Sequence, residues 1–184
     1  KAAETALDEA VKLTKPGTKI FEIGQVIQET IQGFGFSPVR NLSGHGLELY
    51  KVHTKPNIPN INNHDDSLLK EDQVIAIEPF ATNGSGKIYE GKPSGIYALA
   101  DDKNIRSNDA REVLNFIIEE YKTLPFCSRW IVKKFGIKSL FALRQLETNG
   151  NIHQYPQLVE VSKGKVAQSE NTILVDEEVI VTTE

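Results

Sequence analysis

The chain has 184 residues, 39% of them hydrophobic and 25% charged, with a formal net charge of -4 and an isoelectric point near 5.7. This size and composition predict one globular domain with a modest insertion, and they exclude a disordered chain and a broad electrostatic attraction to DNA or anionic lipid. The sequence contains no apolar run long enough to span a membrane, and its single cysteine, Cys127, cannot form an internal disulfide. We therefore expect a cytoplasmic protein with neither DNA nor a membrane as partner.

Two helices are the first predicted elements. Apolar residues recur at helical spacing over 3–14 and again over 21–32, and glycines follow each stretch. Shorter β-like runs, separated by Gly, Pro, Asn and Asp, come next and lie at 37–40, 46–53, 73–82, 86–90 and 94–100. The chain thus begins with helices and continues with strands.

A helical period returns over residues 108–148, in three pieces broken near Pro125 and Gly136, which predicts a helical insertion. Strand patterns then resume at 152–155, 158–161, 165–168, 172–175 and 178–182. We expect the first of these strands to end before Pro156, because proline has no N–H for a sheet ladder. The element order indicates an α+β fold.

A histidine between two glycines is the first candidate functional residue. The segment 41–46 reads NLSGHG, so the backbone around His45 can turn tightly and a ligand can approach. A loop histidine without a function explains the same pattern. His53 lies eight residues further on, and side chains an even number of residues apart share one face of an unbroken strand. Both histidines are therefore expected to face one cleft if the strand is continuous.

The second candidate is a carboxylate inside an apolar strand. Glu78 lies in the segment 74–80, which reads VIAIEPF, and a carboxylate there needs a metal, a cation or a hydrogen-bond network to replace its lost hydration. A buried ion pair with Arg40 is one interpretation, and a metal ligand or catalytic acid is the other. Glu170, by contrast, lies in a polar segment and reads as a surface residue when taken alone.

The insertion also carries a set of basic side chains, which predicts either an RNA or ribosome contact or a solvated helix face. Its members are Arg129, Lys133, Lys134, Lys138 and Arg144.

Taken together, these segments resemble the type II methionine aminopeptidases of archaeal and eukaryotic style. The resemblance covers nearly the whole chain and is carried by 40–45, 50–53, 76–80, 123–130, 155–156 and 168–174. It implies a pita-bread fold, with two ααβ-type halves about a pseudo-twofold. Residues 1–104 and 161–184 would form the second half, and residues 105–160 a winged-helix-like insertion.

The same resemblance implies a metalloaminopeptidase that removes N-terminal methionine from nascent proteins. In the family five side chains hold two divalent ions, and three of them map to His45, Glu78 and Glu170. Glu78 would also accept a proton from the attacking water, and His53 maps to the histidine that hydrogen-bonds the substrate near the scissile peptide. The walls of the methionine pocket map to Val52, Phe80 and Tyr155.

The resemblance also places two metal-binding aspartates and another active-site histidine in the N-terminal half of the family's catalytic domain. That half lies upstream of the position to which Lys1 corresponds. The chain also contains no methionine, so we expect an upstream half to be missing. Should the chain be complete, the first aspartates to consider as ligands are Asp65, Asp66, Asp101 and Asp102. Ser169 and Asn171 also depart from the family, since relatives often carry Phe and His there.

One imidazole with several carboxylates suits Mn, Fe, Co or Zn as divalent ions. The implied partners are nascent peptide N-termini, the missing half of the same protein and the ribosome. A non-catalytic relative that binds RNA or protein is the alternative function. The retained His45, His53, Glu78 and Glu170 argue against it, because binding alone gives no reason to keep a charge in an apolar strand.

Overall fold

The computed structural model describes residues 1–183. They form two compact units, the first from residues 1–89 with those from 159 onward, and the second from residues 90–158. The second unit starts earlier than the insertion predicted at 105–160, because Ile96 and Tyr97 pair with Cys127 and Phe126 and so belong with the helices that follow. In the described part of the chain no helix has both the length and the apolar character needed to cross a membrane.

The first unit opens with two helices, α1 (Ala2–Leu13) and α2 (Ile20–Gly33), in agreement with the sequence prediction. Its strands are β1 (Ser37–Pro38), β2 (Ser43–Glu48), β3 (Lys51–Pro59), β4 (Val74–Ile77), β5 (Phe80–Thr82), β9 (Val166–Gln168), β10 (Asn171–Leu174) and β11 (Ile180–Val181). Five of them form one sheet in the order β11-β10-β4-β2-β3, and the other three form a second sheet in the order β1-β5-β9.

The core of the first unit lies between the helices and the larger sheet. Helix α1 contributes small residues such as Ala6 and Ala10, and α2 contributes a row of isoleucines that includes Ile27 and Ile31. Gly24 lets α2 pack closely against the backbone at Ile61, since a Cβ at position 24 would collide with the carbonyl oxygen of Ile61. The helical periodicity was thus a reliable guide to the buried faces.

Two strands that the sequence analysis treats as continuous are each divided. The predicted strand 46–53 is a hairpin, because Leu49 and Tyr50 form a turn in which Tyr50 adopts a φ of 59°. The predicted strand 73–82 is also two strands, β4 and β5, which belong to different sheets. The break between them falls at Glu78 and Pro79. Proline has no N–H to donate to a sheet, which favours a break where the chain passes from one sheet to the other. The carboxylate of interest therefore stands between two sheets rather than inside one.

The second unit combines three helices with a small sheet. Its helices are α3 (Asn108–Glu120), α4 (Ser128–Phe135) and α5 (Ser139–Asn149), as the breaks near Pro125 and Gly136 predict. The sheet has the order β7-β6-β8. The unit contains all of β7 (Phe126–Cys127) and most of β6 (Ile88–Leu99) and β8 (Ile152–Glu160). Strand β8 does not end before Pro156 as predicted, because it lies at the edge of its sheet, where a missing N–H is tolerated. The core of the second unit includes the fully buried residues Ile117, Leu143 and Leu146.

A buried carboxylate that the sequence analysis did not single out joins two turns of the first unit. Glu160 is 3% exposed. It accepts hydrogen bonds from the backbone N–H and hydroxyl of Ser85 (both 2.6 Å), from the hydroxyl of Ser162 (2.7 Å) and from the N–H of Gly164 (2.8 Å). The Ser85 hydroxyl is the largest of the influences that lower the pKa of Glu160 to about 2, although burial opposes it. The ionised carboxylate thus fixes the ends of β5 and β9.

We expect Glu160→Gln to lower the thermal denaturation midpoint at pH 7, because the amide keeps the volume but replaces an acceptor with a donor that faces donors. The folded pKa of about 2 lies below the ordinary 4.5, so the stabilisation is present above about pH 4.5 and is lost as the pH falls toward 2. The difference in midpoint between parent and variant should therefore shrink over that range. A constant difference from pH 7 to pH 2, or a similar loss in the exposed control Glu90→Gln, would contradict this role.

Candidate metal centre

Antiparallel pairing of β2 with β4 delivers the first two candidate ligands to one place. His45 pairs with Ala76, two residues before Glu78. Gly44 permits this close pairing, since a Cβ there would collide with the carbonyl oxygen of Ala76. Gly44, beside His45, therefore allows β2 and β4 to pack closely.

His45 and Glu78 meet at the centre of this arrangement. Nε2 of His45 lies 3.1 Å from Oε1 of Glu78, and both side chains are nearly buried, at 13% and 12% exposure. Nδ1 of His45 lies 3.1 Å from the carbonyl oxygen of Gly46. Because a carbonyl can only accept, Nδ1 donates to it, which leaves Nε2 to face the carboxylate. Two electron pairs that face each other at this distance require a proton or a cation between them.

The carboxylate of Glu78 is only partly satisfied by the protein. Oε2 accepts a hydrogen bond of 2.9 Å from Nε2 of Gln168, whereas Oε1 is buried and has no hydrogen-bond partner among residues 1–183. Burial, and next the negative charge of Glu170, raise the pKa of Glu78 to about 7. The ion pair with Arg40 that the sequence left open is not formed within those residues, since the ionisable partner of Glu78 is His45. A divalent cation would supply the missing partner.

Gln168 is a site residue that the sequence analysis missed. Its Nε2 donates to Glu78 at 2.9 Å and to Glu170 at 3.2 Å, so one amide joins both carboxylates. The pairing of β5 with β9, in which Phe80 lies opposite Gln168, brings it there. Its only signal in the sequence is its position two residues before Glu170, which is the spacing of one strand face.

The third predicted ligand is less enclosed than the other two. Glu170 follows β9 and is exposed, as a surface residue would be. Its carboxylate nevertheless shares the Gln168 donor with Glu78 and raises the pKa of that residue. The structure thus brings Glu170 to the edge of the His45–Glu78 pair.

His53 also lies beside the pair, although not by the predicted route. Its ring meets that of His45 edge-on, with centroids 4.4 Å apart and planes at 75°. The two histidines come from the two arms of the β2–β3 hairpin rather than from one strand. Partial burial, and next His45, lower the pKa of His53, which favours the neutral ring.

The three predicted pocket residues lie in different surroundings. Val52 is half-buried, and the alternation along β3 places it on the face opposite His53. Phe80 begins β5, and its N–H donates to Oδ1 of Asn60 at 2.9 Å. Tyr155 belongs to the second unit, where its ring lies edge-on to His153 with centroids 4.7 Å apart. Their role as walls of a methionine pocket stays a prediction.

The donor set fits part of a metal centre. His45 and Glu78 present nitrogen and oxygen donors at a separation that suits one divalent ion, and Oε1 of Glu78 lacks any other partner. The N–H of His45 bonded to a backbone carbonyl is the usual orienting contact of a metal-binding histidine. However, residues 1–183 contain no converged group of three or more His, Cys, Asp or Glu side chains. The four aspartates considered as substitutes therefore do not complete the site; they are Asp65, Asp66, Asp101 and Asp102.

The chain is similar to known metallopeptidases. The sequence model of the metallopeptidase family M24 matches residues 1–177. The chain belongs to this family. It is 48% identical over 179 residues to the methionine aminopeptidase of Thermococcus onnurineus, covering 96% of this chain and 61% of that protein. It is 45% identical to the methionine aminopeptidase of Pyrococcus abyssi, covering 100% of this chain and 63% of that protein. The chain thus spans about three fifths of these relatives.

Solved structures agree on the fold. The methionine aminopeptidase of Thermotoga maritima superposes with a TM-score of 0.58 at 20% identity, covering 100% of this chain and 50% of that one. A thermophilic Arx1 superposes with a TM-score of 0.75 at 12% identity, covering 95% of this chain and 53% of that one. These likenesses show that the α+β fold is of the pita-bread type, as the sequence resemblance implies.

Proposed function

We propose that this chain is the second half of the catalytic domain of a methionine aminopeptidase, which removes N-terminal methionine from nascent proteins. The observation that carries the proposal is the contact between Nε2 of His45 and the otherwise unpartnered, buried Oε1 of Glu78. The names of the relatives at 48% and 45% identity support the substrate class.

In this proposal His45, Glu78 and Glu170 hold two divalent ions together with two aspartates from outside residues 1–184. The ions are Mn, Fe, Co or Zn, because an imidazole with carboxylates suits each of them. When bound, such ions supply Lewis acidity, which acidifies water and polarises a peptide carbonyl. Gln168 holds the carboxylates of Glu78 and Glu170 in place and moderates their repulsion.

Two side chains of this chain then handle protons. Glu78, which faces His45 from a nearly buried position, would accept a proton from the attacking water and release it afterwards. His53 is uncharged at neutral pH, because its pKa is lowered. One of its ring nitrogens therefore carries a hydrogen, which it would donate to the substrate carbonyl and to the oxyanion that develops there.

The methionine pocket is proposed to use Val52, Phe80 and Tyr155. We expect Phe80→Ala to weaken the selection of N-terminal Met over Leu more than it lowers stability, because sulfur and aromatic rings attract each other by a few tenths to about 1.5 kcal/mol. The measurement is kcat/KM for matched Met and Leu peptides in the intact protein. An unchanged Met-to-Leu ratio would refute this placement, and the exposed ring of Phe36 provides a control as Phe36→Ala.

We further propose that the protein acts in the cytoplasm on chains that emerge from the ribosome. The pairing of His45 with Glu78 argues against the alternative, a non-catalytic relative that binds RNA or protein. An apolar residue at position 78 would avoid the cost of a buried, partly unsatisfied carboxylate, whereas a metal or a reaction gives that carboxylate a use.

The function is tested by incubating the intact protein with a Met-Ala-Ser peptide, with and without a chelator. We expect release of free methionine, its loss when the chelator removes the metal, and its return when a divalent ion is added back. Release that survives complete removal of the metal, or no release with any of the four ions, would overturn the proposal.

A further inference from the structure

A pocket in the second unit lies outside the candidate metal centre. It has a volume of about 590 Å³ and lies between the segment that precedes α3 and one face of α5. Its lining consists of residues 104–107, Phe141, Arg144, Gln145, Thr148 and Asn149.

The charges of this pocket favour an anion. Arg106 and Arg144 line it together, and none of its lining residues is acidic. Within residues 1–183 neither arginine forms an ion pair. Two other cations of the unit are engaged, since Lys134 covers the ring of Phe116 at 4.4 Å and Arg111 donates to the carbonyl of Ile105 at 3.1 Å. Two guanidinium groups are thus available to phosphate.

The distribution of charge between the two units also favours an anion in the second unit. Residues 90–158 carry ten Lys and Arg against eight Asp and Glu, whereas the rest of the chain carries eleven against seventeen. The overall charge of -4 therefore conceals a second unit that is mildly basic. Such a unit does not repel a polyanion as the remainder of the chain does.

Two further features of the lining suit a nucleotide. The ring of Phe141 is 67% exposed, which leaves a face on which a base can stack. Oε1 of Gln145 is buried and has no hydrogen-bond partner among the described residues. This acceptor can take a hydrogen bond from a base amino group or from a ribose 2′-hydroxyl.

We propose that this pocket binds single-stranded RNA, with a base stacked on Phe141 and the adjacent phosphates held by Arg106 and Arg144. Most lining side chains are exposed. The site therefore suits a strand that passes over the surface, whereas a free nucleotide is normally enclosed by its site. Of the basic residues noted in the sequence, Arg144 is the one that lines this site.

The test is binding of a fluorescently labelled eight-nucleotide RNA to the intact protein, measured by anisotropy at several salt concentrations. Phe141→Ala should weaken binding about tenfold, which is the scale of one lost base stack. Arg144→Ala should weaken it and reduce the slope of log K against log salt by about 0.7, the value for one phosphate contact on a single strand. Arg144→Lys should keep the slope, because it keeps the charge.

Lys92→Ala is the matched control, since Lys92 is an exposed cation of the same unit outside the pocket, and it should leave the affinity within about twofold. Both test residues are exposed, so circular dichroism should show an unchanged fold. The proposal is overturned by no RNA binding at low salt, by an equal loss in Lys92→Ala, or by full binding in Phe141→Ala. It is overturned equally if AMP or DNA of the same sequence binds as tightly as the RNA.

Discussion

Replacement of Glu78 by Gln in the intact protein is expected to reduce cleavage of Met-Ala peptides by about 100-fold or more, the scale of a lost general base. The amide keeps the volume of the side chain, but it can neither accept the proton of water nor match a carboxylate as a metal ligand. Glu78 is nearly buried, and beyond the contact with His45 its Oε1 has no hydrogen-bond partner among the described residues, so such a loss would report a change in chemistry.

The same variant should not be destabilised when the metal is absent. The folded pKa of about 7 lies above the ordinary 4.5, so ionisation of Glu78 costs the folded state stability progressively between these two pH values. Above pH 7 the metal-free Glu78→Gln protein should therefore melt at or above the temperature of its parent. Glu71→Gln, at an exposed carboxylate, is the control for both measurements. Activity within about tenfold of the parent would refute the assigned role.

Replacement of the two histidines whose rings touch, His45 and His53, is expected to have different consequences. His45→Ala is expected to lose bound metal and activity together, because it removes the donor that faces Oε1 of Glu78. His53→Ala should instead lower kcat with the metal content nearly unchanged, because His45 is the histidine that faces Glu78, whereas His53 touches the ring of His45 and forms no ion pair within residues 1–183. The measurements are metal content by elemental analysis and steady-state kinetics on one peptide.

His64→Ala provides the control for this pair, since His64 lies in an irregular segment, is exposed and has a φ of 60°. It should alter neither metal content nor kcat. Loss of an ion from His53→Ala would make His53 a ligand and would require a different proton donor.

Several parts of the site were accessible from the sequence for physical reasons. A carboxylate in an apolar run must be compensated, and Glu78 is indeed nearly buried beside His45. The helical periods and the breaks near Pro125 and Gly136 also matched the structure, because amphipathic spacing reports which face is buried.

Other parts depend on pairing between distant segments, which no local pattern encodes. The position of Gln168 follows from its register with Phe80, and the burial of Glu160 follows from a turn 75 residues away at Ser85. The hairpin at Tyr50 was missed because a tyrosine with positive φ is rare and carries no turn signal. Glu170 was singled out by resemblance alone, since its environment is polar and exposed.

The most direct test of the central claim is anomalous diffraction from crystals of the intact protein grown with Mn²⁺. We predict an anomalous peak about 2.1 Å from both Nε2 of His45 and Oε1 of Glu78, within bonding reach of a Glu170 oxygen as well. Peptidase activity in the same crystals, with those two atoms still in contact and no peak between them, would contradict the account.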